Sequence, residues 1–295
     1  MNTDAAERLG HLWIIGAGRT GLALGLRLHR DGAADRLTVT GRRASAPDHP
    51  LFAAPGAAYR PALDGVPEGI SAIVIAVPDS AIAEVADRLA SLYPAPELPV
   101  LHTSGSRSTD VLAPLAARGH AVGSVHPLAA ISDPVDGADR LAGVSWGVEG
   151  EGTALDLAER IVAACRGRAL RIAPGGKPAY HAAAVFASNY AVTVLSLAEG
   201  LMEQAGVHAR DARPALTALA AGAVENVAAR GPVAALTGPI LRGDVETVAL
   251  HLERLSAAER PLYCLLGREA LRLARLAGID PAAAARLADL LGGAE

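Results

Sequence analysis

A segment that begins at residue 177 combines the residue types that acid–base chemistry needs. On a helix that advances about 100° per residue, Lys177, His181 and Ser188 fall on one stripe, so two titratable groups and a hydroxyl share a face. Lys177 is the sole lysine of the chain. Because burial can lower the pKa of a lysine towards neutral pH, we predict that Lys177 is a general acid that protonates a developing oxyanion. The alternative is an exposed lysine in the first turn of the helix.

Two further residues are candidates for holding a reactant. Asn189 is rotated well away from the stripe, and it joins His181 and Ser188 as a side chain that fixes a carbonyl group. Arg242 lies in a turn-rich stretch between predicted helices, and its planar guanidinium can bind a carboxylate through two hydrogen bonds. Asp244, which follows it, is better explained as the N-cap of the next helix.

The elements that position these residues begin with a strand, a glycine-rich turn and a helix. An apolar run at residues 11–15 leads directly into the pattern G-x-G-x-x-G. Gly16 allows a tight turn, Gly18 lets the backbone approach a diphosphate, and Gly21 lets the helix pack closely on the sheet. The strand and helix around the glycines favour a dinucleotide site over an ordinary turn. The predicted loop consists of Gly16, Ala17, Gly18, Arg19, Thr20 and Gly21.

The end of the second predicted strand, Leu37–Thr40, indicates which dinucleotide is bound. A site that prefers NAD has an acidic residue at this point, on the ribose 2′-hydroxyl. Here the chain continues with Gly41, Arg42 and Arg43, so two guanidiniums take the place of a carboxylate. Because guanidinium suits a 2′-phosphate, we predict NADP(H) as the cofactor. The alternative is that the two arginines form a solvated turn.

Residues that follow other predicted strands are also candidate ligands, because an open parallel sheet binds ligands beyond the carboxyl ends of its strands. Val77, Pro78 and Ser104 are predicted to contact the cofactor, and His126 is a candidate to donate a proton or bind a carboxylate. Each has a structural alternative: Ser104 in a turn, Asp79 as a helix cap, and His126 held extended by the proline after it.

Alternating apolar strands and amphipathic helices predict an α/β fold, with a doubly wound, mainly parallel sheet at residues 1–173. From residue 174 to 295 the caps and the periodicity are helical, so the second domain is predicted to be all-α. The alanine-rich helices of this half offer more apolar surface than a small bundle buries, and they predict a homodimer.

Composition excludes several classes of protein. A net charge of -4 does not favour binding to the negatively charged phosphates of nucleic acid. Cys165 and Cys264 lack ligand spacing, so we predict neither a disulfide nor a metal site. The first strand is too short for a signal peptide or a membrane span, and a cytoplasmic location is expected.

The chain resembles the Rossmann-like proteins whose C-terminal half is the domain of unknown function 2520. The resemblance implies kinship with 2-dehydropantoate reductases, pyrroline-5-carboxylate reductases and 3-hydroxyacid dehydrogenases. In the last of these a catalytic lysine is followed four residues on by asparagine; Lys177 matches the lysine, whereas His181 stands in the place of the asparagine. The matching segments are Gly16–Gly21, Ala76–Asp79, His102–Gly105, Ser124–Leu128, Tyr180–Tyr190, Leu236–Ile240 and Arg242–Asp244.

Together these features predict an NADPH-dependent reductase of a small 2-oxo acid, a carboxylate substrate for which the resemblance favours 2-dehydropantoate. An imine reductase of the pyrroline-5-carboxylate type is the enzymatic alternative, and it would need less from Lys177 because a protonated imine already accepts hydride. A protein that binds a dinucleotide as a sensor or scaffold, without catalysis, is the alternative from another class.

Overall fold

The structure is a computed structural model that describes residues 8–92 and 98–292. Within these residues, eight strands form one sheet in the order β3-β2-β1-β4-β5-β6-β7-β8. The strands are β1 (His11–Ile15), β2 (Arg36–Thr40), β3 (Ala57–Arg60), β4 (Ala72–Ile75), β5 (Val100–His102), β6 (Val122–Pro127), β7 (Ser145–Gly150) and β8 (Arg168–Arg171).

The sheet is mainly parallel, as predicted. Neighbouring strands from β3 to β6 run in the same direction, whereas β7 pairs antiparallel with β6 and β8 then runs parallel to β7. The central strands β1 and β4 are apolar at nearly every position and completely buried, as expected where helices cover both faces. The edge strand β3 was not predicted.

Helices follow most of the strands, and they dominate the chain after β8. They are α1 (Arg19–Arg30), α2 (Ile82–Leu92), α3 (Ala113–Ala116), α4 (Pro134–Arg140), α5 (Gly152–Ala164), α6 (Lys177–Ala187), α7 (Asn189–Gln204), α8 (Ala209–Ala235), α9 (Val245–Arg254), α10 (Glu259–Leu276) and α11 (Pro281–Leu290). Because α8 has a non-helical residue at Gly231, with φ of 76°, it is two helical segments in direct succession.

Alternation along β1 directs side chains into two cores, one on each face of the sheet. Leu12 and Ile14 belong to a core that includes side chains of α1 and α5. Trp13 and Ile15 belong to a second core that includes side chains of α2. The N-terminal fold is therefore doubly wound, as predicted, and this arrangement leaves the carboxyl ends of β1, β2, β4, β5 and β6 at one edge.

The chain divides into two compact units, Met1–Asn189 and Tyr190–Glu295. The division lies after α6, whereas the sequence predicts a domain boundary at residues 173–174; that functional boundary stays a prediction. The second unit is helical and has its own core, to which α9, α10 and α11 contribute Val248, Leu271 and Leu287. The structure thus combines an α/β unit with a helical unit, in agreement with the predicted fold class.

One described helical stretch, Lys177–Gln204, is long and apolar enough to cross a membrane, judged only by its length and composition. A break at Ser188, where φ is -120° and ψ is -68°, divides it into α6 and α7. These helices contain 11 and 16 residues, and each is shorter than the roughly 20 residues that a spanning helix needs. The stretch alone is weak evidence for a membrane protein.

Candidate functional site

The glycine loop between β1 and α1 has the features of a dinucleotide cradle. Gly16 has φ of 124°, and a Cβ atom there would collide with the backbone of Ala76. A Cβ atom at Gly21 would collide with the carbonyl oxygen of Gly16, whereas one at Gly18 would meet open space. Helix α1 has neither a side-chain N-cap nor an acidic residue in its first turn. Its positive end is therefore suited to a phosphate group beside Gly18.

The end of β2 lies against this loop. A Cβ atom at Gly41 would be 2.9 Å from the Cβ atom of Ala17 and 2.7 Å from the hydroxyl oxygen of Tyr59. The Tyr59 hydroxyl also donates a hydrogen bond of 2.8 Å to the carbonyl oxygen of Arg43. Arg42 and Arg43 are both exposed immediately after this contact. Two cationic side chains are therefore available next to the glycine loop, at the position where a 2′-phosphate is predicted.

A second loop follows β5, and its shape depends on Ser104. The Ser104 hydroxyl oxygen accepts hydrogen bonds from the backbone N–H groups of Ser106 and Arg107, at 3.2 and 3.0 Å. This contact agrees with the turn role of Ser104. The Ser106 hydroxyl donates to Asp79, at 2.6 Å, and so joins this loop to the segment after β4. Burial raises the pKa of Asp79, but hydrogen bonds from Ser106 and Ser104, together with nearby positive charge, outweigh this effect and leave the pKa lowered.

Lys177 is completely buried, so the alternative of an exposed lysine is wrong. Its Nζ atom donates a hydrogen bond of 2.8 Å to the carbonyl oxygen of Ser104 and lies 5.8 Å from the centroid of the Tyr180 ring. Burial lowers the pKa of Lys177 to about 8, against the opposing charges of Glu149 and Asp79. Lys177 therefore joins the start of α6 to the loop after β5, and its ammonium loses a proton more readily than that of an ordinary lysine.

Two histidine rings lie close to Gly105 in the loop after β5. A Cβ atom at Gly105 would be 2.8 Å from Nε2 of His126 and also 2.8 Å from Nδ1 of His181. The two imidazole centroids are 6.2 Å apart. Burial, followed by the charges of Lys177 and His181, lowers the pKa of His126 to about 4. Nδ1 of His181 is buried and has no hydrogen-bond partner among the described residues. Two imidazole groups therefore lie close to this loop.

On the other side of His126, Tyr180 of α6 provides a hydrogen-bond partner. The Tyr180 hydroxyl oxygen lies 2.9 Å from Nδ1 of His126. Sequence analysis missed Tyr180 because the two residues are 54 positions apart. The available signal was its place beside His181 in a segment that already contained Lys177.

A buried polar row crosses the sheet at His102, Ser124 and Glu149, which are register partners on β5, β6 and β7. Within the described part of the chain, the Ser124 hydroxyl and one carboxylate oxygen of Glu149 are buried without a hydrogen-bond partner. Burial raises the pKa of Glu149, and the charge of Lys177 opposes that change. The row was not predicted, although a carboxylate beside Val148 and Trp146 in the mostly apolar β7 is an unusual feature for a buried strand.

Three other predicted site residues are exposed. Ser188 and Asn189 are exposed where α6 ends, and Ser188 is 11 residues, about 16 Å along a helix axis, from Lys177. A common stripe therefore does not bring Ser188 and Lys177 to one reacting atom. Arg242 is exposed in the second unit. Next to it, Asp244 accepts a hydrogen bond of 3.1 Å from the N–H of Thr247, so its predicted role as an N-cap is confirmed.

Comparison with known proteins identifies two domains. A Rossmann-like domain matches residues 2–127, and the domain of unknown function DUF2520 matches residues 144–270. In a comparison with curated proteins, no relative matches the chain.

Solved structures share the fold along most of the chain. A candidate NADP oxidoreductase from Bacteroides fragilis is 22% identical with a TM-score of 0.69, and the match covers 90% of this chain and 99% of that one. A pyrroline-5-carboxylate reductase from Coxiella burnetii is 16% identical with a TM-score of 0.59, over 95% and 97% of the two chains. An imine reductase from Aspergillus terreus, in complex with NADPH4, is 17% identical with a TM-score of 0.56, over 97% and 93%. The chain is thus similar to a Rossmann-like domain over residues 2–127 and to the domain of unknown function 2520 over residues 144–270, with a fold that the solved structures share.

Proposed function

We propose that this protein is an NADPH-dependent oxidoreductase that reduces the carbonyl group of a small 2-oxo acid. The proposal depends on one observation: a glycine loop open at Gly18 and a titratable cluster around Gly105 follow strands of one parallel sheet at the same edge. Ligands bind at this edge in open α/β sheets. The bound cofactor supplies a hydride to an electrophilic carbon. The resemblance of the chain favours 2-dehydropantoate as the substrate.

The residues that hold the cofactor follow from the two loops. The glycine loop holds the diphosphate with backbone N–H groups, because Gly18 leaves room for it and α1 directs its positive end there. Arg42 and Arg43 hold the 2′-phosphate. Val77, Pro78 and Ser104 follow β4 and β5 and would contact the bound dinucleotide. NADP-binding structures with this fold support the choice of cofactor.

Lys177 is the proposed general acid. With a pKa of about 8, its ammonium is present at neutral pH and gives up its proton more readily than an unperturbed lysine. Nζ donates one of its three hydrogens to the carbonyl oxygen of Ser104, and the other two are the ones that could be offered to a reactant. His181, which lies close to Gly105, is proposed to fix the carbonyl group, with Ser188 and Asn189 as alternatives, and Arg242 is proposed to bind the carboxylate.

Reduction of a cyclic imine is a second candidate function. A protonated imine already carries its proton and needs no general acid, so this reaction does not require the buried Lys177 to reach the reactant. The shared fold with a pyrroline-5-carboxylate reductase and an imine reductase also supports it. A screen of 2-oxo acids and cyclic imines for NADPH consumption distinguishes the two. A protein that binds NADPH and oxidises it with neither class would be the non-catalytic sensor.

We also propose a homodimer formed through the helical half. Along α7 none of the described side chains is buried, although the helix is rich in valine and leucine. Val192 is 68% exposed in this helix, and Val224 is 69% exposed in α8. Apolar surface of this extent is typical of an interface.

A cytoplasmic location is proposed as well, because Cys165 and Cys264 are both free.

A further inference from the structure

The first turn of α6 lies over β6 and β7. A Cβ atom at Gly147 of β7 would be 2.5 Å from the Tyr180 hydroxyl oxygen, and this oxygen is 2.9 Å from Nδ1 of His126 on β6. Gly147 and His126 are register partners, so Tyr180 rests across the two strands. Lys177 begins the same helical turn, and its Nζ atom lies 5.8 Å from the centroid of the Tyr180 ring. The buried ammonium of Lys177 is therefore held against this face of the sheet.

Glu149 lies on the same face. Side chains alternate along a strand, so Ser124 shares a face with His126 on β6, and Glu149 shares a face with Gly147 on β7. Ser124 and Glu149 are themselves register partners. Glu149 is only 9% exposed, and one of its carboxylate oxygens is buried without a hydrogen-bond partner among the described residues. A buried ammonium and a buried carboxylate thus occupy one face of the sheet.

Other charged or titratable groups lie on the elements around Lys177 and Glu149. They are Tyr180 and His181 of α6, His102 of β5, His126 of β6, Asp79 after β4, and Arg107 and Asp110 after β5. Asp79 and Asp110 are the other carboxylates of this set, and both are exposed, so water and salt screen their charges. The charge of Glu149 acts through the protein interior, where the effective dielectric constant is lower. Glu149 is therefore best placed to compensate the ammonium.

The charge of Lys177 needs such compensation, because a charge buried without a partner strongly destabilises a protein. Burial lowers the pKa of Lys177, and Glu149 is the largest of the charges that oppose this change. In return, the charge of Lys177 opposes the rise that burial causes in the pKa of Glu149. Each group therefore favours the charged form of the other.

We propose that Glu149 is a positioning residue that keeps the buried Lys177 protonated, as the principal counter-charge of its ammonium. Glu149 acts through Lys177 and does not itself contact a reactant. The charge pairing is independent of the proposed function, whereas its effect on turnover rests on the proposed role of Lys177 as general acid.

The protonation of Lys177 can be followed directly, because it is the sole lysine of the chain. Full-length protein labelled with carbon-13 at lysine Cε gives one lysine signal in NMR, and its chemical shift reports the charge on Nζ. Glu149→Gln should raise the acid dissociation constant of Lys177 about tenfold, as expected for the loss of one nearby opposite charge. Glu149→Asp should bring the constant back towards the wild-type value. An unchanged titration in Glu149→Gln would overturn the proposal.

Asp79→Asn and Asp110→Asn are the matched controls. Each variant removes one exposed carboxylate near the pair and leaves Glu149 in place. Each should change the dissociation constant of Lys177 less than Glu149→Gln does, because solvent screens the charge that is removed. An equal or larger change in either control would mean that Glu149 is not the principal counter-charge.

A double-mutant cycle keeps the pairing testable if Glu149→Gln alone does not fold. Removing one member of a buried pair leaves the other charge uncompensated, whereas removing both does not. Chemical denaturation at pH 7 should therefore show a smaller loss of stability from Glu149→Gln in the Lys177→Met background than in wild type. An equal loss in both backgrounds, or a double variant that fails to fold where Lys177→Met folds, would overturn the pairing.

Kinetics separate this inference from the proposed function. If Lys177 is the general acid, kcat for carbonyl reduction falls as the pH rises through its pKa. Glu149→Gln should move this decline to lower pH, with KM for NADPH unchanged. If wild type shows the decline and Glu149→Gln leaves both it and the Lys177 signal in place, the pairing is wrong and the proposed function stands. If the Lys177 titration shifts as expected and no substrate is reduced, the proposed function fails and the pairing stands.

Discussion

At the residue scale, the chemistry of the site depends on one buried cation among neutral imidazoles. Lys177 is completely buried, and its charge contributes to the lowered pKa values of His102 and His126, both about 4. Burial is the larger cause for both histidines. A single ammonium thus helps to keep two neighbouring rings uncharged, and each uncharged ring can donate or accept a hydrogen bond at neutral pH.

Replacing Lys177 tests its proposed role in catalysis. Lys177→Ala should leave NADPH affinity nearly intact and lower turnover by roughly a hundredfold or more, the usual scale for the loss of a positioned acid. His181→Ala should have a smaller effect. For both variants, steady-state rates measure turnover and cofactor titrations measure NADPH affinity. Normal turnover in Lys177→Ala would exclude the mechanism, and an inactive His181→Ala beside it would transfer the acid's role to the histidine.

Replacing Lys177 by methionine tests its lowered pKa through stability, without any measurement of activity. Folding lowers the pKa of Lys177 from 10.5 to about 8, so between these values the unfolded chain holds the proton more tightly. Raising the pH through this window therefore stabilises the folded form. At pH values below the window, the buried ammonium destabilises the folded form to its full extent. The free energy of unfolding of wild type, minus that of Lys177→Met, should rise from about pH 8 to 10.5. A difference that is flat with pH would show that Lys177 titrates normally.

At the element scale, strand ends and the helices after them place each predicted group. The glycine loop, the arginine pair and His126 were predictable because the rule for open sheets needs only the order of strands and helices. Tyr180 and Glu149 were not, since their roles depend on contacts between elements distant in sequence. The break at Ser188 was also missed; serine and asparagine side chains bond to nearby backbone and so favour helix ends, which the helical periodicity does not reveal.

A pair of glycine variants tests the loop between β1 and α1. A Cβ atom at Gly21 would collide with the carbonyl oxygen of Gly16, so Gly21→Ala should destabilise the protein by about 1–3 kcal/mol. Gly18→Ala is the control, because the corresponding position is open. It should unfold at the same temperature as wild type and still bind NADPH more weakly, since the methyl group occupies the space for the diphosphate. Thermal unfolding and cofactor titration measure both effects. Equal stability of the two variants would contradict this packing.

At the scale of the whole molecule, an α/β unit with complete cores is followed by helices that leave apolar surface exposed. Core side chains of α9, α10 and α11 are buried, whereas α7 buries none of its described residues. The fold class was predictable from the change in periodicity near residue 174. The extent of the exposed apolar surface was less predictable, because an alanine-rich helix has no sharp division between apolar and polar faces.

The exposed surface predicts the mass of the particle in solution. Sedimentation at micromolar concentration should give twice the mass of one chain. Val192→Asp together with Val224→Asp should produce a monomer, because both side chains are exposed and a charge cannot be buried unpaired. Ala83→Asp on the exposed face of α2 is the control and should leave the dimer intact. A wild-type monomer would remove this proposal.

The preference for NADPH depends on the two arginines after β2. Arg42→Asp combined with Arg43→Ala should weaken NADPH binding far more than NADH binding, because only NADPH carries the 2′-phosphate. Titration of both cofactors on wild type and on the variant measures the change. Equal losses for the two cofactors would mean that the arginines do not contact the 2′-phosphate, and the assignment of NADP(H) would be wrong.

Transfer of label from cofactor to product is the most direct test of the central claim. The protein is mixed with NADPH deuterated on one face of the nicotinamide, then with 2-oxo acids and cyclic imines in turn, and the products are analysed by mass spectrometry. We expect one deuterium on the carbon of the former carbonyl or imine group, from one face only, and a large loss of label transfer in Lys177→Ala if that carbon was a carbonyl. Tight binding of NADPH with no label in any product would contradict the account.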